Sequence, residues 1–115
     1  MANLKVSLLV EELQGRGYEI GGYSVLGKFN QKFLDIPHLP DSYCLGPIES
    51  DYDNGDAWVD TSELWIARRD NIVNSASHFD RALPDTTEVF VLANSIEAWM
   101  IRDSASWSNN HNFEL

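Results

Sequence analysis

Val6, Leu9, Val10 and Leu13 recur at i, i+3, i+4 and i+7, the spacing that lays one apolar stripe along a helix. Leu4 and Leu8 broaden the stripe, and Glu11 and Glu12 fall on the opposite side. The pattern predicts a first helix over 3–14, with Asn3 as N-cap and Gly15 or Gly17 supplying the left-handed end. Tyr18, Ile20, Tyr23 and Val25 then alternate about Gly21-Gly22, which predicts a hairpin with a two-residue glycine turn, Gly27 marking a bulge or second bend. From 30 to 57 the regular patterns fail around Pro37, Pro40, Gly46, Pro47 and Gly55, leaving short strands expected near 33–36 and 43–45.

The strongest signals lie in the second half. Asp60-Thr-Ser-Glu63 has the spacing of a helix capping box, and Trp65, Ile72, Ala76, Phe79 and Leu83 follow at helical steps, with Arg69 completing the row. One helix over 60–83, stopped by Pro84, is expected; a competing parse makes 64–67 a short strand and starts the helix at Asp70. Val89, Phe90, Val91 and Leu92 run without interruption, which suits a central strand over 87–93 covered on both faces. Asn94-Ser-Ile-Glu97 repeats the capping pattern, and Ile96, Trp99 and Met100 form one face of a short final helix, a strand over 96–102 being the alternative. The stretch 104–115 lacks periodicity and is expected to be a loosely ordered tail. Together these elements predict a single α+β domain over 1–115, with two or three helices packed on a small, mostly antiparallel sheet.

The strand–step–helix ending EVFVLANSIEAWM, at 88–100, resembles the C-terminus of SUKH-type bacterial immunity proteins. That resemblance implies a protein-binding, toxin-neutralising role, and no site residue is carried over from it.

Charge narrows the function. Eighteen acids against eight bases give a formal net charge of −10. Such a balance opposes direct binding to nucleic acid or anionic membranes, which need clustered Lys and Arg. A basic protein surface, on a toxin or a nucleic-acid-binding enzyme, is the natural counterpart. The acids are unevenly spread: between Lys32 and Arg68 there is no Lys or Arg, yet eight acids fall there. Asp51, Tyr52, Asp53, Asp56, Trp58 and Asp60 therefore form the expected partner-binding surface, acids for steering and aromatics for anchoring. The run from Glu49 to Asp60 also resembles a calcium loop, but Asn54 stands where the loop glycine belongs and Asp60 replaces the bidentate Glu, so no metal is expected.

Catalytic constellations are thin. His38 and Cys44 supply the one nucleophile–base candidate, and a small cytosolic enzyme built on them is the alternative function, with a structural or regulatory subunit as a third. His38, Cys44, His78 and His111 are scattered without zinc-ligand spacing. The glycines of 15–27 match neither a dinucleotide fingerprint nor a Walker loop, so no cofactor is expected. A lone cysteine and the absence of a long apolar run lead to a cytoplasmic expectation. Oligomeric state leaves no mark in the sequence.

Overall fold

A computed structural model describes residues 3–27, 30–38, 41–50, 57–73 and 81–112. It is an α+β domain in which three helices pack with two antiparallel sheets. The small sheet has the order β1-β6-β5, from β1 (Asn3–Lys5), β5 (Glu49–Ser50) and β6 (Ala57–Asp60). The larger sheet has the order β2-β3-β4-β7-β8, from β2 (Gly22–Leu26), β3 (Gln31–His38), β4 (Asp41–Gly46), β7 (Trp65–Arg68) and β8 (Arg81–Ala82). The helices are α1 (Val6–Gly15), α2 (Arg69–Val73) and α3 (Val89–Asn112). No helix among the described residues is long and apolar enough to cross a membrane.

The main core lies between one face of the large sheet and the two longer helices. Leu34, Ile36, Tyr43, Leu45 and Ile66 line the sheet face, Val6, Leu9 and Leu13 come from α1, and Leu92, Ala93, Ile96 and Met100 from α3. Leu4 and Val59 bring the small sheet into the same core. The opposite face of the large sheet carries a second cluster, Phe33, Cys44, Ala67 and Ile72, with Trp65 and Leu26 at its margin.

Helix α1 follows its sequence stripe but begins later, because Asn3 is used in β1 and Lys5 takes the N-cap position. Its end is a Schellman motif: the Gly17 N–H donates to Gln14 O and the Tyr18 N–H to Leu13 O, with Gly17 at φ +95°. The expected hairpin is displaced. Gly22 opens β2 rather than turning it, and β2 pairs with β3 across 27–30, where Gly27 and Asn30 take positive φ and the Asn30 N–H donates to Gly27 O. Tyr18 and Ile20 pack beside the main core instead of forming a strand.

Two expectations are corrected in the second half. The single helix over 60–83 is absent as such: Asp60 ends β6, a turn follows, and 65–68 is β7, paired with β4 through Tyr43↔Arg68 to Gly46↔Trp65. Helix α2 starts at Arg69, which is close to the competing parse. The capping-box residues close a turn instead, with Asp60 Oδ1 accepting from Ser62 N and Oγ and Asp60 O accepting from Glu63 N. The central strand over 87–93 is likewise absent, since Val89 begins α3. The ending likened to immunity proteins is thus one continuous helix from Val89 onward. It includes 96–102 and runs on to Asn112 through most of the stretch expected as a tail.

Candidate functional site

Of the six residues expected to meet a partner, Trp58 and Asp60 are placed; Asp51, Tyr52, Asp53 and Asp56 lie outside the described residues. Along β6, Val59 is fully buried in the main core. Strand alternation therefore turns Trp58 and Asp60 to the outer face of the small sheet. Register supplies neighbours that sequence reading missed. Trp58 stands opposite Lys5 of β1 and Glu49 of β5, and Asp60 stands opposite Asn3. A cation, an indole and a carboxylate thus form one row across three strands, with the Lys5 Nζ 5.6 Å from the Trp58 ring centroid. Lys5 lies 53 residues before Trp58, so only the pairing of β1 with β6 reveals that the face carrying Trp58 has a basic margin.

Asp60 has a structural task. The Ser62 hydroxyl donates to its Oδ1 at 2.6 Å and the Ser62 N–H at 3.0 Å. These two bonds, the hydroxyl's first, hold its carboxyl below the usual carboxylate range. Asp60 is therefore ionised and oriented at neutral pH.

The runner-up pair does not assemble. In β3 and β4, Asp35 stands opposite Cys44 and Ile36 opposite Tyr43. Cys44 thereby shares a face with Asp35, while His38 shares the other face with Ile36 and Tyr43. The two side chains are separated by the sheet itself. Cys44 is fully buried, its Sγ 3.4 Å from Asp35 Oδ1, and Asp35 Oδ2 also accepts from Ser24 Oγ at 2.6 Å. His38 stacks between Tyr18 and Tyr43, at 5.5 and 6.0 Å between ring centroids. Both residues serve packing, and no nucleophile–base bond joins them. Among the described residues, no three of His, Cys, Asp and Glu gather closely enough to hold a metal ion.

A polar cluster at the end of α1 was also invisible to sequence reading. The Arg16 guanidinium donates to Glu12 Oε2 at 2.9 Å, Asn94 Oδ1 at 2.8 Å and Glu97 Oε1 at 3.1 Å, and lies 5.0 Å from the centroid of the Phe90 ring. Tyr18 donates to the other Glu97 oxygen at 2.8 Å. Burial first, then that bond, pushes the Tyr18 phenol up to about 12. Its geometry ties α1 to α3, with the donors and acceptors satisfied by one another.

No protein-family model, curated protein or solved structure matches the chain.

Proposed function

We propose that the chain is a non-catalytic protein-binding protein, whose face around Trp58 engages a basic surface such as that of a nuclease-like or nucleic-acid-binding enzyme. The observation behind this reading is the placement of Trp58: a half-buried indole on the outer face of the small sheet, in one row with Glu49 and beside Asp60. Tryptophan is among the residue types most enriched at the anchoring positions of protein interfaces. The segment carrying Asp51, Asp53 and Asp56 joins β5 to β6, so both its ends are tethered to the Ser50↔Ala57 pair beside that row. A net charge of −10 adds long-range attraction for a cationic partner. Neutralising a toxin or a host defence enzyme is the concrete form of this role.

Affinity capture with matched proteins tests it. Immobilised wild-type chain retains a basic partner at low ionic strength and releases it as the Debye length shrinks from ~10 Å at 0.1 M to ~3 Å at 1 M salt. Folded Trp58→Ala retains none. Retention of the same partner by folded Trp58→Ala overturns the reading.

A further inference from the structure

A cleft of about 350 Å³ lies between the β8 edge of the large sheet and α3. From α3 it takes Ser95, Ala98, Trp99 and Arg102, positions one helical face apart, and from the chain after β8 it takes Leu83 and Pro84. The walls combine apolar groups from Ala98, Trp99, Leu83 and Pro84 with the Ser95 hydroxyl and one guanidinium. Trp99 is fixed from behind, its ring meeting Tyr43 edge-on at 5.3 Å and 88°. Arg102 is exposed and has no hydrogen bond or ion pair among the described residues. Its neighbour Asp103 is engaged elsewhere, accepting from Tyr43 Oη at 2.9 Å and lying 3.3 Å from Arg68 Nε. Ala82 of β8 also lines the cleft. The Leu83 N–H donates inward to Leu64 O, so alternation turns the N–H and C=O of Ala82 to the outer edge of β8.

We propose that this cleft binds a carboxylate carried on a flat apolar body. The indole and the Leu83–Pro84 wall receive the flat group, and Arg102 pairs with the acid in the planar two-point geometry that guanidinium and carboxylate share. A single cation in a chain of charge −10 matches one negative charge; a phosphate dianion needs more donors and meets more repulsion. The volume sits at the small end of ligand pockets, about 300–1,000 Å³, which suits one ring with a short acid arm. The site goes beyond the protein-binding role and uses none of the Trp58 face, so its failure leaves that role untouched.

Phenylacetate is the probe, with phenylacetamide as its neutral counterpart, in amide and indole NMR titrations of the full chain. Phenylacetate shifts the Ala98 and Arg102 amides and the Trp99 indole saturably, with a Kd on the order of 1 mM, as ordinary ligand efficiency gives for ten heavy atoms. Phenylacetamide and the Arg102→Ala variant each bind at least roughly tenfold more weakly, the loss of one charge-assisted pair. Ala98→Leu changes an exposed helix position, narrows the cleft beside Trp99 and leaves Arg102 in place, and it weakens binding at least roughly tenfold. Equal affinity for the amide, unchanged binding by Arg102→Ala or Ala98→Leu, or no saturable shift up to about 20 mM overturns the proposal.

Discussion

Tyr18 shows how much residue-level chemistry depends on partners far away in sequence. Nothing near it in the chain marks it, yet Glu97, 79 positions on, accepts its phenol hydrogen bond. Its ordinary value is 10.0 and its folded value about 12, so below pH 10 the phenol is neutral in both states and the stabilisation is complete. As pH rises from 10 towards 12 the unfolded chain releases this proton first, and stability falls. Tyr18→Phe is expected to flatten that part of the pH–stability curve. Glu97→Gln is expected to bring the Tyr18 value part of the way back towards 10 in an ultraviolet absorbance titration, leaving it raised because burial is the larger cause. A full return to 10 would make the hydrogen bond the main cause. Trp58 was conspicuous in the sequence as a large aromatic among acids. Lys5 and Glu49 were not, because cross-strand partners leave no local trace.

At the scale of elements, legibility followed burial geometry. Helix α1 was readable because one face is buried and the other is not: Val6, Leu9 and Leu13 are inside while Glu11 and Gln14 are out. Strand β7 was not, because it is covered on both sides, Ile66 (with Leu64 just before the strand) in the main core and Trp65 and Ala67 at the second cluster. Such a strand shows no alternation, and its apolar residues also fall at helical steps. The reverse confusion affected 89–92. A continuous apolar run reads as a doubly covered strand, but these residues wrap around the first turn of α3, with Leu92 fully buried and Phe90 and Val91 exposed by 64% and 42%. Turn chemistry misled equally, since an acid followed by Ser serves a helix cap or a tight turn. Val91→Ala separates the two readings. At an exposed helical position, alanine removes a β-branched side chain and raises stability by about 0.5 kcal/mol. In a strand the same change lowers it. Urea unfolding of the two proteins gives the sign.

The whole molecule carries −10, and that charge acts in opposite directions on folding and on association. Within the compact chain the acids repel one another, so added salt screens the repulsion and raises the thermal midpoint by a few degrees. The ion pairs of Arg16 with Glu12 and Glu97 weaken in salt, but three charges cannot offset the surplus of ten. Between the chain and a basic partner the same screening removes attraction, so the association rate falls roughly tenfold from 0.05 to 0.5 M salt. A variant with Asp51→Asn, Asp53→Asn and Asp56→Asn is therefore expected to fold at least as stably as wild type, associate more slowly, and show a shallower salt dependence. Trp58→Ala differs in kind: the lost anchor speeds dissociation by ~2 kcal/mol or more and leaves the salt dependence of association intact. Thermal unfolding and association kinetics at matched salt concentrations check both. If the triple Asn variant keeps the wild-type on-rate and its salt slope, the acids of 51–56 steer nothing.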